Sequence, residues 1–150
     1  MKSLVAALAG MAVVWGVHPG TANHVDLGVT PIPAELQVIN RLTDAFNAHD
    51  VNAIAALSGD NVEWMDVRGR KLSVSASGRN AVTRRMTRFF GAHNAARCVI
   101  EGSLVTGSSV AVRRHIFWEE SGKVMSESSL VVYQIANGQV RRAWVYPSGR

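Results

Sequence analysis

The sequence predicts an α+β fold in which three N-terminal helices are wrapped by a curved, mainly antiparallel sheet. Two observations carry this. Between residues 34 and 91, three stretches repeat apolar residues every three to four positions, the period of a half-buried helix. From Ala96 onward the repeat becomes alternation, in runs near 96–105, 109–118, 124–135 and 139–146 separated by Gly107-Ser108, Ser121-Gly122-Lys123 and Asn137-Gly138. Helices that precede the strands, instead of alternating with them, suit an α+β layer arrangement and not a doubly wound parallel sheet.

The chain opens with Met1-Lys2-Ser3, the apolar run Leu4 to Val17 and small residues ending Gly20-Thr21-Ala22, which reads as a secretory signal peptide over 1–22. The apolar run is 14 residues, short of the roughly 20 that span a bilayer, so the expectation is export to the periplasm or outside the cell without stable membrane insertion after cleavage. Residues 23–33 carry Pro31 and Pro33 without periodicity and read as an extended leader. Residues 34–150 are enough for one domain with its own core.

Helix one is expected over about 34–48, with Leu36, Ile39, Leu42 and Phe46 on one face. Asp50 is placed to cap a second helix over 51–58, and the turn Ser58-Gly59-Asp60-Asn61 feeds the short strand Val62 to Asp66. Val67 to Gly78, rich in serine, reads as a turn and an exposed excursion. A third helix near 80–91 would bury Val82, Met86, Phe89 and Phe90, turn Arg84, Arg85 and Arg88 to water, and close at Gly91. Asn137-Gly138 is the strongest local hairpin signal in the chain.

The formal charge is +5 at pH 7, and Lys2 is the only charged residue that cleavage removes. The arginines are scattered over several elements without a stacking aromatic stripe, which argues against a nucleic-acid partner. Cys98 is the single cysteine, so no intramolecular disulfide forms, and its apolar strand suits a buried inert thiol. No two of His18, His24, His49, His93 and His115 stand at i, i+4, and no Cys-x-x-Cys occurs, so neither a metal nor another cofactor is expected.

Chemistry concentrates at Asp66, which ends Val62-Glu63-Trp64-Met65-Asp66. A carboxylate at a strand end can point into a pocket, where desolvation beside Trp64 suits a general base; the alternative is a surface carboxylate paired with Arg68. His115 shares one strand face with Arg113 and Phe117, and Arg114, Ile116 and Trp118 share the other. Facing inward, His115 would lie across from Asp66 as a second proton-transfer group; as a half-buried packing residue it would not.

The order from Phe46-Asn47-Ala48-His49-Asp50 through the Asp66 strand resembles the NTF2-like superfamily, in particular its SnoaL-like and ketosteroid-isomerase branches. The resemblance spans roughly 34–147 and implies a cone-shaped fold. It sets Leu57 through Gly69 against the isomerases' helix-to-strand segment, with Asp66 on their proton-shuttling aspartate. Other positions depart from the family. Leu42 stands where those isomerases place an oxyanion-donating tyrosine, and Val131 stands near their protonated aspartate. Val145 stands where the SnoaL cyclases place an acid–base aspartate, and the second carboxylate of the limonene-epoxide hydrolases has no counterpart.

Two functions follow from this reading. One is a domain binding a small, largely apolar molecule in a pocket lined by Trp64, Leu42, Phe46, Met86, Phe90, Val131 and Val145. The other is a cofactor-free lyase, isomerase or hydrolase with Asp66 as base and His115 assisting. A third, an assembly module using the open sheet face, also remains. The apolar and aromatic positions on that face predict a homodimer through the sheet.

Overall fold

A computed structural model describes residues 31–148. The expected signal segment, 1–22, and most of the 23–33 leader lie outside these residues.

Helix α1 (Ala34–Asn47) buries Val38, Ile39, Leu42 and Ala45. Helix α2 (Val51–Ala56) follows a corner at His49, whose φ of 55° turns the chain, and its first turn is capped by Asp50, whose carboxylate accepts from Ala53 N–H at 2.9 Å. His49 serves the corner as a packing residue: its Nε2 lies 2.9 Å from the Ala96 carbonyl oxygen and its ring stacks on Phe90. Helix α3 (Arg79–Ala92) buries Val82, Met86 and Phe90. It runs through Gly91, expected to end it, and stops at His93, whose extended backbone leaves the helix.

The strands are β1 (Ser58–Arg68), β2 (Lys71–Ser77), β3 (Arg97–Thr106), β4 (Ser109–Glu120), β5 (Lys123–Ala136) and β6 (Gln139–Pro147). They form one sheet in the order β2-β1-β6-β5-β4-β3, antiparallel throughout except for the parallel β1–β6 pair. The meander takes the expected turns. At Asn137-Gly138 both residues have positive φ, the twist a two-residue hairpin requires.

Two expectations are corrected at β1 and β2. Ser58-Gly59-Asp60-Asn61 is not a free turn but the start of β1, where Ser58 pairs with Val140 before the register shifts by Glu63. The serine-rich stretch is not an excursion but the edge strand β2, hydrogen-bonded to β1 from Glu63↔Ser77 to Arg68↔Lys71. Leu72 and Val74 stay about half exposed there, which is why the stretch lacks a core signature.

Helix α1 packs against β3 and β4, and α3 against β1 and β2, so the helices close one face of the curved sheet. The core lies between them and contains Ile39, Ile54, Val62, Val82, Val110, Val112, Val131, Tyr133 and Val140. Among the described residues no helix is long and apolar enough to cross a membrane.

Candidate functional site

Strand alternation and register decide which side chains meet inside the cone. Trp64 pairs with Ala143, which pairs with Tyr133; Asp66 pairs with Val145, which pairs with Val131 and so with Val112. Toward the far edge, Arg114 sits between Ser129 and Ile100, and Ile116 between Glu127 and Cys98. All these positions share the inner face.

Two connected spaces follow. The narrow one is a recess of about 20 Å³ between α1 and the sheet, lined by Leu42, Phe46, Ile54, Trp64, Met86 and Tyr133 among others. It is large enough for a water or a methyl group and no more. The wide one is a cleft of about 550 Å³, lined by apolar Phe46, Trp64, Met86, Phe89, Ile116, Val145 and Pro147. Charged Asp66, Glu127, Arg68, Arg85, Arg88 and Arg114 line it as well.

Asp66 therefore lines the cleft, half-buried at its wide end and not in a dry recess. It forms no ion pair with Arg68 within 4.0 Å. His115 is not beside it. His115 is out of phase with Arg114 and Ile116, so it projects from the outer face, where Glu101 receives both Arg113 at 2.7 Å and His115 Nδ1 at 3.4 Å. There its ring stacks on Phe117 at 4.3 Å. An adjoining groove of about 730 Å³, at the β1–β2 turn and the end of β6, shares Arg68, Glu127 and Pro147 with the cleft and includes His115 but not Asp66.

Of the expected lining residues, Trp64, Leu42, Phe46, Met86 and Val145 line the two spaces. Phe90 and Val131 belong to the core instead, Phe90 wedged edge-on against Phe46 and Val131 fully enclosed. Arg85 and Arg88, expected to face water, border the cleft, and so does Phe89.

The residues that sequence reasoning missed are Arg114 and Glu127. Arg114 is half-buried and lines both spaces. Its Nε–H donates to the Ser129 hydroxyl at 3.0 Å, and among the described residues no carboxylate lies within 4.0 Å of it. Burial pushes the Cys98 thiol and the Tyr133 phenol above their usual pKa values, and the positive charge of Arg114 pulls both part of the way back. Cys98 is thus an inert wall residue. Glu127 was readable in principle, because it is in phase with Ser129, Val131 and Tyr133 on β5.

Trp64 adds an unspent donor: its indole N–H is buried without a partner among the described residues. Among those residues, no group of three or more His, Cys, Asp or Glu side chains could hold a metal. The site can therefore offer hydrogen-bond donors, positive charge, two carboxylates and apolar surface within one cleft.

Solved structures with this architecture include an epoxide hydrolase of the limonene-epoxide-hydrolase type from Mycobacterium tuberculosis, with a TM-score of 0.66 and 15% identity over 77% of this chain and 83% of that one. Another is a cystatin-fold protein from Novosphingobium aromaticivorans, with a TM-score of 0.67 and 19% identity over 76% of this chain and 98% of that one. A third is the product of a soil-derived mobile gene cassette, with a TM-score of 0.66 and 21% identity over 76% and 88%. These identities bear on the fold alone. No curated protein matches the chain. The sequence profile of the SnoaL-like domain matches residues 39–143, from the second turn of α1 to the middle of β6. That span takes in all of α2, α3 and β1 to β5 with parts of α1 and β6, and the chain belongs to the SnoaL-like domain family.

Proposed function

We propose that this SnoaL-like domain is exported and binds a small molecule with both apolar and polar parts in its cone. The observation that carries the reading is the 550 Å³ cleft, which Phe46, Trp64, Met86 and Val145 line together with Asp66, Arg114 and Glu127. A concave, mostly preformed space with an apolar floor and a few convergent polar groups is the usual form of a ligand site. The recess behind it is too small for a ligand, so a wholly apolar guest would leave the half-buried Asp66, Arg85 and Arg114 without polar partners on it. Export is supported by the Met1 to Ala22 sequence.

The proposed assembly is a homodimer through the outer sheet face. Leu130 and Tyr146 are cross-strand partners there and are 45% and 39% exposed, and Val99 is 51% exposed.

A second reading, acid–base turnover, is favoured by one observation: Asp66 shares the cleft with Glu127 and a guanidinium. A carboxylate base in one cleft with positive, hydrogen-bonding groups suits proton transfer next to a carbonyl.

The test of binding uses neutral 2-naphthamide in calorimetric titration of the full chain, with Ile116→Trp as the blocking variant, since Ile116 borders the cleft without belonging to the core. One saturable site per chain, lost in a folded Ile116→Trp protein, is expected. No saturable binding, or binding unchanged by the block, would defeat the reading.

A further inference from the structure

The cleft carries four arginines, Arg68, Arg85, Arg88 and Arg114, against two carboxylates, Asp66 and Glu127, a formal surplus of two positive charges. Among the described residues none of the six is engaged in an ion pair within 4.0 Å, whereas Arg79, Arg113 and Arg142 elsewhere each have a carboxylate partner. Clefts lined by one sign of charge with low-dielectric walls concentrate ligands of the opposite sign.

Arg114 is placed differently from the other three. It projects from β4, beside the edge strand β3, lines both the wide cleft and the narrow recess, and its Nε–H is already committed to Ser129, which is 2% exposed. That bond fixes the plane of the guanidinium, the buried Tyr133 phenol takes a further side-chain hydrogen bond from it, and the remaining terminal N–H groups are the available donors. A half-buried guanidinium without an acid partner is costly to maintain, and a planar, two-oxygen anion is the group its geometry matches. The indole N–H of Trp64, a residue that lines both spaces, is buried without a partner among the described residues and calls independently for a hydrogen-bond acceptor.

We propose that the cleft takes a small organic carboxylate, its anionic head on Arg114 and its apolar body against Phe46, Trp64, Met86 and Val145. A carboxylate suits the site better than a phosphate dianion, because the apolar walls around Arg114 penalise a group that carries more charge into them. Arg68, Arg85 and Arg88, at the outer part of the cleft, draw the anion in; Arg114 holds it. This inference rests on the reading of the cleft as a small-molecule site and narrows the class of its ligand.

The experiment titrates the full chain with 2-naphthoate and, separately, with 2-naphthamide, which has the same ring and nearly the same shape without the charge. The naphthoate is expected to bind at least about tenfold more tightly, the lower end of what a hydrogen bond to a charged group contributes. Arg114→Gln should reduce that preference to about twofold or less while leaving the amide's affinity nearly unchanged. Equal or tighter binding of the amide by the wild-type chain overturns the carboxylate and leaves the cleft as a site. Binding of neither at millimolar concentration overturns both. Should Arg114→Gln fail to fold, intermolecular nuclear Overhauser contacts from the naphthoate ring decide the placement in the wild-type chain. Contacts with the Met86 methyl and the Trp64 indole support it, and contacts confined to other residues refute it.

Discussion

Asn47, the last residue of α1, clamps that helix to β3, and removing its side chain should be costly for a reason that can be worked out bond by bond. Its amide Nδ2–H donates to the Cys98 carbonyl at 2.9 Å while its Oδ1 accepts from the Cys98 N–H at 2.7 Å. The side chain thus acts as one more rung on β3, the sheet edge away from β2. It ties the α1–α2 corner to the strand whose Cys98 and Ile100 face Leu42 and Phe46 across the recess. Asn47→Ala removes both bonds and leaves two backbone groups of a strand residue that is only 6% exposed. At about 1 kcal/mol for each neutral bond, the expected loss is about 2 kcal/mol, with Tm lower by roughly 6–10 °C. Arg97→Ala is the control, since its bond to the Asn47 carbonyl is solvent-exposed and its loss should stay within about 0.5 kcal/mol. Urea unfolding of both variants measures the difference. A loss below about 0.5 kcal/mol for Asn47→Ala, equal to the control, would refute the clamp.

Asp66→Asn should change folding stability by less than about 1 kcal/mol, because the carboxylate is half-buried and unpaired, and should lower any turnover at the cleft at least about a hundredfold; a variant with unchanged turnover would remove Asp66 from the chemistry. Stability should decline on the alkaline side. Cys98 and Tyr133 have raised pKa values when folded, so the unfolded chain loses these protons first, and stability present below about pH 8.5 falls as pH rises through the thiol and then the phenol range, near 10. Denaturant midpoints that are flat from pH 8 to 11, or that rise, would contradict this. Sedimentation should report a dimer that Leu130→Glu converts to a monomer, since Leu130 and Tyr146 sit opposite each other on the exposed outer face; a wild-type monomer at high micromolar concentration would exclude that interface.

The fold was readable where the local period and the tertiary environment agree. Helices α1 and α3 each carry one apolar face and bury it, and the β5–β6 turn has the residues its twist demands. β2 was missed because Leu72, Val74 and Ala76 do alternate, but only Ala76 is buried; a strand held by edge pairing lacks the apolar composition that identifies one. The site was legible at Asp66 and Trp64 and not at Arg114, for a reason of phase. On β4 each face offers an arginine and an aromatic, so residues 113–118 alone leave the choice undecided. The choice is made two residues earlier: Val110 and Val112 are buried, and the even positions that follow them, Arg114 and Ile116, therefore enter the cone. One residue of register separates a His115 inside the cone with Asp66 from an Arg114 inside it, and with it a proton-transfer group from a fixed positive charge. The buried valines decide for the charge, which makes the ligand's sign the next property of this cleft to measure.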